Sequence, residues 1–465
     1  MDLKNIQLST FKRAYFVGVG GIGMSALARY FKSLGWNVAG YDKTPSPLTE
    51  ALISEGVEIH FDDLGESIPE EYKEKESTLV IYTPAIPKNL GELNFLMQNN
   101  FQLFKRSQVL GIITANSLGL GVAGTHGKTT TSTLLAHILN ESSLKCNAFL
   151  GGISTNFNSN LVTSKDSKYT VVEADEFDRS FLQLTPFASI ITSTDADHLD
   201  IYGDASVFLK GFQDYANLIN ENGFLILRNG LTLTSKAPIF TYGVNDETAD
   251  FKAINLRFEE SKFLFDIIFP EGEWKNIEFG LPGIHNAENA LACIALLQKI
   301  GLTEEEIRFG LKTFKGVKRR FEYHIKSDSL VYIDDYAHHP TEIQALVSSV
   351  RLLYPNKKIT GVFQPHLFSR TRDFFDGFAS ELSKMDEVIV LPIYPAREEP
   401  IEGVTSDKLV DKITLNIKSL KSPSDALNYL SQFREGIVLT IGAGDIDRIV
   451  EPLKQGLKNT NSIKY

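Results

Sequence analysis

A glycine-rich stretch ending in Gly-Lys-Thr-Thr has the residues and the spacing needed to bind phosphate. It follows an apolar run at residues 118–122 and precedes a helical pattern at residues 132–139. Glycines let backbone N–H groups approach phosphate oxygens, and the N-terminus of the helix adds partial positive charge. The lysine would bridge the β- and γ-phosphates of a nucleotide, and the next threonine would ligate Mg²⁺. The predicted nucleotide-binding residues are Gly124, Thr125, His126, Gly127, Lys128, Thr129 and Thr130.

The spacing departs from the strict phosphate-loop pattern, because Val122 stands where that pattern begins with glycine. An ordinary glycine turn before a helix is therefore the alternative. The preceding strand and the Gly-Lys-Thr-Thr sequence favour nucleotide binding.

Two further strands are predicted to lead into side chains that bind metal. Residues 169–172 are followed by Glu173, and residues 188–192 lead to His198. If these strands flank the phosphate-loop strand, both side chains meet Thr129 at the carboxyl edge of a parallel sheet. A carboxylate and an imidazole there could hold Mg²⁺ between ATP and a second anion. Taken singly, Glu173 would also fit a solvated strand end and His198 a helix cap.

A second glycine motif lies near the start of the chain. A strand at residues 14–17 precedes it, a helix at residues 24–34 follows, and the next strand ends at Asp42. This order matches the dinucleotide-binding fingerprint, in which an acid about 20 residues on binds a ribose hydroxyl. Alone, the fingerprint indicates a diphosphate or a tight turn and is weak evidence for a nicotinamide cofactor. The motif comprises Gly18, Gly20, Gly21, Ile22 and Gly23.

Polar residues in the second half of the chain follow predicted strands or open predicted helices. Asn286 and Asn289 could bond adenine or cap the helix that follows them. Arg320 lies in a basic run that is either a solvated surface or the source of an arginine for a triphosphate. A guanidinium after a strand could hold a small carboxylate bidentately, while a histidine beside proline could be a helix cap. The candidates that follow strands are Asp335, His338, His366 and Arg370.

Composition limits the classes of function. The chain has 465 residues, 43% of them hydrophobic and 23% charged, and a net charge of −11. We expect a cytoplasmic protein with no general affinity for nucleic acid or membrane, because its net charge is negative and no run is long enough to span a bilayer. Two cysteines without paired spacing favour neither a disulfide framework nor a zinc site.

The order of strands and helices predicts an α/β fold of three domains. We expect an N-terminal Rossmann-like domain at residues 1–115, a central ATP-binding α/β domain at 116–318 and a C-terminal Rossmann-like domain at 319–465. Within the central domain, residues 223–280 are predicted to be antiparallel, and the polar stretch 154–160 to be an exposed loop. A single helix is predicted at residues 370–385.

These motifs together resemble the Mur ligases of peptidoglycan synthesis. The resemblance covers essentially the whole chain and implies that fold, with ATP and Mg²⁺ as cofactors. The motifs that carry the resemblance are Gly-Thr-His-Gly-Lys-Thr-Thr at 124–130, Glu-Ala-Asp-Glu at 173–176, Asp-His-Leu-Asp at 197–200, His285-Asn286 with Asn289, Arg319-Arg320-Phe321 and Asp-Tyr-Ala-His-His-Pro at 335–340.

Within the family, three motifs are similar to the members that add L-alanine. They are Gly-Val-Gly-Gly-Ile-Gly-Met at 18–24, Gln-Pro-His at 364–366 with Ser-Arg-Thr-Arg at 369–372, and Gly-Ala-Gly-Asp at 442–445. The resemblance implies small-molecule substrates, UDP-N-acetylmuramate and L-alanine, joined through an acyl phosphate by a monomer or weak homodimer. The alternatives are the branch that recycles a muramyl tripeptide, a nicotinamide oxidoreductase and a non-catalytic nucleotide switch.

The resemblance also implies a role for each matching residue. Lys128, Glu173, His198 and Arg320 would be catalytic, and Thr129, Glu173 and His198 would hold the metal. ATP would contact residues 124–130, Asn286, Asn289, Arg320 and Asp335. The UDP-sugar would contact Gly18, Gly20, Gly21, Ile22, Gly23, Asp42 and Thr83, and L-alanine would contact His338, His366 and Arg370.

Two positions depart from the family pattern. Many relatives have arginine directly after Gln-Pro-His, whereas this chain has Leu367, so the alanine carboxylate would depend more on Arg370 or Arg372. Family members that add later amino acids use a carbamylated lysine beyond Asp-His. Lys210 lies in that neighbourhood but out of register, and we leave it out of the site.

Overall fold

The computed structural model describes residues 6, 8–84, 86–87, 89–195, 202–259, 262–396 and 398–459. The chain divides into two compact units, Met1–Gly280 with Ala287–Lys315 and Leu281–Asn286 with Gly316–Tyr465. The first unit contains two sheets and the second contains one. Within the described ranges, none of the helices is both long enough and apolar enough to cross a membrane.

The first sheet is parallel and places its ligand-binding edge beside the N-terminal glycine motif. Its elements are β1 (Arg13–Val17), α1 (Ile22–Ser33), β2 (Asn37–Tyr41), α2 (Pro47–Ser54), β3 (Glu58–His60), β4 (Thr78–Tyr82), α3 (Gly91–Gln98), β5 (Leu103–Lys105) and α4 (Arg106–Ala115). The strand order is β3-β2-β1-β4-β5. The order reverses between β1 and β4, and open parallel sheets bind ligands at such a switch point.

The second sheet is mixed, and its parallel part carries the phosphate loop. Its elements are β6 (Leu118–Ala123), α5 (Lys128–Glu141), β7 (Asn147–Ser154), β8 (Ser159–Val162), β9 (Tyr169–Ala174), β10 (Pro186–Ile191), α6 (Ala205–Ala216), β11 (Phe224–Arg228), β12 (Ile239–Val244), β13 (Phe251–Glu259), β14 (Lys262–Phe269), β15 (Gly272–Phe279), α7 (Ile284–Lys299) and α8 (Glu304–Thr313). The strand order is β15-β14-β13-β12-β11-β10-β6-β9-β7-β8. As predicted, β9 and β10 flank β6.

The prediction that residues 223–280 are antiparallel is partly wrong. β11, β12 and β13 continue the parallel part of the sheet, and only β13, β14 and β15 pair antiparallel. The connection between β11 and β12 crosses back without a helix. A crossover helix is the usual sequence signal of parallel pairing. Because that helix is absent, the sequence favours antiparallel pairing of these strands.

Strand β15 forms one edge of this sheet, and polar groups occupy that edge. Arg308 of α8 donates to the backbone oxygens of Lys275 at 2.9 Å and Asn276 at 3.2 Å. Asn276 has a positive φ of 55°, and the pairing of β14 with β15 shifts register between Phe265 and Ile267. The edge is therefore irregular as well as charged.

The prediction of an exposed loop at residues 154–160 is wrong at both of its ends. β7 runs to Ser154 and β8 starts at Ser159, so the stretch is the turn of a hairpin with Ser154 and Asn160 fully buried. The Asn160 amide donates to the Ile22 oxygen at 2.6 Å and to Ser25 Oγ at 2.9 Å. These partners lie on α1 of the preceding sheet, so tertiary contacts override the polar composition.

The third sheet lies in the second unit. Its elements are β16 (Glu322–Lys326), β17 (Leu330–Asp335), α9 (Pro340–Leu353), β18 (Ile359–Phe363), α10 (Phe368–Asp373), α11 (Phe375–Leu382), β19 (Glu387–Val390), α12 (Ser406–Lys412), β20 (Lys418–Leu420), α13 (Pro423–Leu430), β21 (Gly436–Ile441) and α14 (Asp447–Asn459). The strand order is β16-β17-β21-β18-β19-β20, and among the described strands of this third sheet only β16 pairs antiparallel. The predicted α/β fold with three sheet-bearing segments is confirmed.

The predicted single helix at 370–385 is divided into α10 and α11. Phe374 leaves helical geometry, with φ −113° and ψ 21°, and its ring centroid lies 4.4 Å from that of His339. This contact comes from His339, the residue before α9, and sequence periodicity alone does not reveal it.

Candidate active site

The phosphate loop joins β6 to α5 and needs glycine at its turn. Gly127 has a φ of 83°, in the left-handed region, and is the residue at which α5 begins. A Cβ at Gly127 would lie 2.8 Å from Oδ1 of Asn289, which is buried. The structure thus places Asn289 directly against the loop, and Thr130 lies in the first turn of α5.

The end of β10 holds the other side of the loop. Thr125 Oγ1 donates to the Asp195 oxygen at 2.7 Å, and the His126 N–H donates to Ser193 Oγ at 2.9 Å. Gly124, with a φ of 137°, passes so close that a Cβ there would lie 2.0 Å from Thr192 Oγ1. The loop backbone is therefore fixed by the residues that follow β10.

Lys128 is held inside the loop by three acceptors. Its Nζ donates to the Gly124 oxygen at 2.6 Å, to the Thr125 oxygen at 3.3 Å and to Glu176 Oε1 at 2.8 Å. Burial lowers the pKa of Lys128, but the carboxylates of Glu176 and Glu173 outweigh it, so the pKa is above its usual value. The ammonium is therefore charged in this setting.

Glu176 is a functional candidate that the sequence analysis did not single out. Its side chain is 2% exposed, and burial raises its pKa despite the neighbouring Lys128. Its backbone oxygen accepts from Tyr202 Oη at 2.6 Å. The available signal was the last acid of the Glu-Ala-Asp-Glu motif, three residues beyond Glu173.

Thr129 and Glu173 provide oxygen ligands of the kind that Mg²⁺ prefers. Thr129 Oγ1 lies 3.2 Å from Glu173 Oε1, and the Gly151 N–H donates to Glu173 Oε2 at 3.2 Å. A Cβ on Gly151 would lie 2.2 Å from that oxygen, so glycine makes the space that the carboxylate occupies. These residues fit a divalent cation. The third predicted ligand, His198, lies outside the described residues.

The N-terminal glycine motif meets its predicted partners at the switch point of the first sheet. The Gly20 N–H donates to Asp42 Oδ2 at 2.6 Å. Gly18 has a φ of 91°, and a Cβ there would lie 2.5 Å from Thr83 Cγ2. Gly21 precedes the first residue of α1, Ile22, which is 36% exposed.

Arg106 is a second residue that the sequence analysis missed. A Cβ on Gly23 would lie 2.5 Å from Arg106 Nη1, so the guanidinium lies over the start of α1. Its Nη2 lies 3.2 Å from Asp175 Oδ2. The signal was Arg106 directly after a short strand that ends at Lys105, at the same sheet edge as the glycine motif.

In the second unit, Asp335 ends β17 and accepts two backbone N–H groups. The donors are Phe321 at 2.7 Å and Ala337 at 2.8 Å. Burial raises the pKa of Asp335 to about 6, although the Arg320 guanidinium opposes this shift. The guanidinium of Arg320 lies over the Tyr336 ring at 4.9 Å.

Asn286 and Asn289 lie inside α7, which begins at Ile284, so the alternative that they cap this helix is wrong. The Asn286 amide donates to the Pro282 oxygen at 2.7 Å, four residues back along the chain. The alternative that these amides bond adenine stays a prediction.

The three residues predicted to face L-alanine lie in one neighbourhood. The rings of His338 and His366 have centroids 6.3 Å apart. Burial, together with the positive charge of the Arg370 guanidinium, lowers the pKa of each histidine to about 4. Both imidazoles are thus neutral at pH 7, and Arg370 supplies the positive charge.

Leu367, which departs from the family pattern, has strained backbone. Its φ of 70° with ψ of 136° is unusual for a residue with a branched side chain. Its N–H donates to the Tyr394 oxygen at 2.9 Å, and its oxygen accepts from Thr371 Oγ1 at 2.7 Å. These bonds hold the start of α10, which carries Arg370.

Comparison with known protein families gives a match for each of the three segments. The Mur ligase family, catalytic domain matches residues 13–117, the Mur ligase middle domain matches 122–297, and the Mur ligase, glutamate ligase domain matches 319–444. The chain belongs to the Mur ligase family. The predicted family is therefore confirmed.

Individual Mur ligases align with nearly the whole chain. The UDP-N-acetylmuramate–L-alanine ligase of Phocaeicola vulgatus is 50% identical over 98% of this chain and 100% of its own length. The enzyme of the same name from Porphyromonas gingivalis W83 is 50% identical over 96% and 99%.

Solved structures of the family have the same fold. The UDP-N-acetylmuramate-alanine ligase of Thermotoga maritima superposes with a TM-score of 0.82 at 26% identity, covering 97% of this chain and 100% of that one. A murein peptide ligase from Psychrobacter arcticus gives a TM-score of 0.69 at 22% identity, covering 96% and 99%.

Proposed function

We propose that this Mur ligase joins L-alanine to the lactyl carboxylate of UDP-N-acetylmuramate, using ATP. The products would be UDP-N-acetylmuramoyl-L-alanine, ADP and phosphate, a step of peptidoglycan precursor synthesis. The observation that carries the proposal is the phosphate loop, where Lys128, Thr129 and Glu173 converge at the start of α5. The curated relatives that match over the full length support the choice of substrates.

The phosphate loop supports the use of ATP with a divalent cation. Lys128 would neutralise the β- and γ-phosphates, while Thr129 and Glu173 would hold Mg²⁺ with His198 as a further ligand. When bound, the cation supplies positive charge between two anions that must approach each other. Asn289 would contact the nucleotide from beside Gly127, with Asn286, Arg320 and Asp335 assigned by family likeness.

The first sheet supports binding of the UDP-sugar. Backbone N–H groups of the glycine motif would receive the diphosphate at the N-terminus of α1, as helix N-termini do for other phosphates. Arg106 would add the positive charge that the motif itself lacks. Asp42 would serve the uridine, and Thr83 lies beside Gly18 at the same crevice.

The third sheet supports binding of a small amino acid. Arg370 would bind the carboxylate of L-alanine, and His338 and His366 would act as uncharged hydrogen-bonding groups. Burial of both imidazoles limits their ability to carry charge at pH 7. Many relatives have an arginine directly after Gln-Pro-His, whereas this chain has Leu367. The site would therefore rely on Arg370.

The reaction would proceed by activation of the carboxylate. The lactyl carboxylate attacks the γ-phosphate, ADP leaves, and an acyl phosphate forms. The alanine amine then attacks the acyl carbon, phosphate leaves, and the amine proton is lost to solvent. The protein contributes chiefly by orienting these anions and neutralising their charge, since phosphoryl transfer needs little covalent chemistry from the enzyme.

The test is phosphate release from ATP with UDP-N-acetylmuramate and one of three additions: L-alanine, the L-Ala-γ-D-Glu-diaminopimelate tripeptide, or no amine. We expect release with L-alanine. A strong preference for the tripeptide would assign the chain to the recycling branch, and no release with any amine would refute the proposed ligase.

A further inference from the structure

Among the described residues, the ammonium of Lys128 has one hydrogen-bond acceptor for each of its three N–H groups. An ammonium has three N–H donors, and the three acceptors of Lys128 are the Gly124 oxygen, the Thr125 oxygen and Glu176. To bridge nucleotide phosphates, Lys128 must give up or share at least one of these bonds. All three bonds have a charged donor, and only the bond to Glu176 also has a charged acceptor.

The buried carboxylate of Glu176 is paired with the ammonium of Lys128. Both carboxylate oxygens lie 2.8 Å from Lys128 Nζ, and the side chain is 2% exposed. No other hydrogen-bond partner of Glu176 Oε2 is present among the residues that the structure describes. Because a buried carboxylate without a partner is costly, any movement of Lys128 towards phosphate weakens the pair.

The backbone that carries Glu176 is held in place by neighbouring residues. Tyr202 Oη and the Arg179 N–H both donate to its backbone oxygen, at 2.6 and 2.9 Å. Asp178 and Arg179, which follow it, have φ values of 50° and 54°. On the other side, Asp175 contacts Arg106 and Asp178 contacts Lys105. The backbone of Glu176 is thus fixed by its neighbours.

We propose that Glu176 is a positioning residue that competes with nucleotide phosphates for the ammonium of Lys128. The inference rests on the proposed nucleotide role of Lys128. Glu176 holds the lysine in the loop when phosphate is absent, and it weakens the grip of the loop on the product nucleotide. Its effect is therefore to speed the release of ADP at the expense of affinity.

The test is Glu176→Gln, measured by calorimetric titration with Mg·ADP and by steady-state kinetics. The amide keeps an oxygen that accepts from Lys128 but removes the competing charge. We expect the dissociation constant for ADP to fall by roughly tenfold, since a hydrogen bond to a charged group is worth that much or more. Both the KM for ATP and kcat should fall, because ADP leaves more slowly.

The matched control is Asp178→Asn. It removes one negative charge from the same loop, but Asp178 is 41% exposed and pairs with Lys105. Asparagine also tolerates its left-handed backbone. ADP affinity should stay as in the parent, so a tightening in both variants would indicate a general charge effect and overturn the proposal.

Further variants separate the possible failures. Glu176→Asp withdraws the carboxylate from Lys128 and should tighten ADP binding to a smaller degree, which keeps the test valid if Glu176→Gln does not fold. Unchanged or weaker ADP binding in folded Glu176 variants would refute the inference while Lys128→Ala still loses ADP binding. Full ADP binding by Lys128→Ala would instead refute the proposed role of the loop.

Discussion

The neutral imidazoles of His338 and His366 give the second unit a pH dependence whose sign can be derived. Both have a folded-state pKa of about 4 because they are buried, as does His285. An unfolded histidine has a pKa near 6.5. Between these values the unfolded chain binds more protons, so stability falls as pH decreases from about 6.5 to about 4.

We therefore predict that the second unit loses about 1–2 kcal/mol of unfolding free energy per buried histidine between pH 7 and pH 5. Asp335 acts in the opposite direction, because its folded pKa of about 6 exceeds its unfolded value and its contribution is lost as pH rises. Denaturant unfolding at pH 7, 6 and 5 measures the sum. The His366→Gln variant should show a smaller loss, and an equal loss would contradict the assignment.

Sequence alone could predict the site residues that belong to local motifs but not those that depend on distant contacts. Lys128 and Thr129 are fixed by the strand, loop and helix in which they occur. Glu173 could be predicted because parallel strands end at a common edge. For Glu176 and Arg106 the sequence offers only a position close to a strand end, and their roles depend on which side chains 48 and 69 residues away they meet.

At the scale of elements, the absence of a side chain at Gly23 lets the Arg106 guanidinium lie against the start of α1. We predict that Gly23→Ala raises the KM for UDP-N-acetylmuramate by roughly tenfold and leaves the KM for ATP within about twofold, because the new methyl group displaces the Arg106 guanidinium. Steady-state kinetics with each substrate varied in turn measure this split.

Arg106→Ala should give a similar defect, and the double variant should be no worse than either single one. Non-additivity is expected because both changes remove the same interaction. Fully additive defects would show that Gly23 and Arg106 act separately.

The hairpin of β7 and β8 is predicted to be an important stabilising contact. Asn160→Ala should lower the unfolding free energy of the first unit by about 1–3 kcal/mol, because it leaves the Ile22 oxygen and Ser25 Oγ without the buried amide. Urea unfolding measures the change. Asn37→Ala, the same substitution at an exposed position, should stay within about 0.5 kcal/mol. Equal effects would contradict the role of Asn160.

The elements themselves could largely be predicted, and their pairing directions only in part. Strands such as β2 and β4 were placed because apolar runs end at turn residues. β11 to β13 were given the wrong direction because the chain between β11 and β12 lacks a helix. The break at Phe374 lies beside a ring contact with His339, which is distant in sequence and which the helical pattern does not reveal.

At the scale of the whole molecule, the residues assigned to ATP belong to both compact units. Lys128 and Glu173 lie in the first unit, and Arg320 and Asp335 lie in the second. If all four serve one nucleotide, substrate binding should change the solution conformation of the chain. We predict that the solution scattering profile changes when a non-hydrolysable ATP analogue and UDP-N-acetylmuramate are both bound. Superimposable profiles with and without these ligands would contradict this prediction.

Three domains were predicted from three groups of strands, while the first two sheets share one compact unit. Contacts between them include the Asn160 hydrogen bonds, the Arg106–Asp175 pair and the rings of Tyr30 and Phe149, whose centroids lie 5.2 Å apart. None of these pairs is close in sequence. Motifs therefore indicate how many sheets form but not how firmly neighbouring sheets are joined.

The irregular edge at β15 also affects how copies of the chain behave at high concentration. An exposed strand offers unpaired N–H and C=O groups on which a neighbouring molecule could extend the sheet. Arg308 already donates to the carbonyls of Lys275 and Asn276. The positive φ of Asn276 also interrupts the extended backbone that pairing with a further strand requires. Along this strand, aggregation by edge-to-edge β-pairing is therefore disfavoured, and the enzyme can accumulate during synthesis without this route to insoluble assemblies.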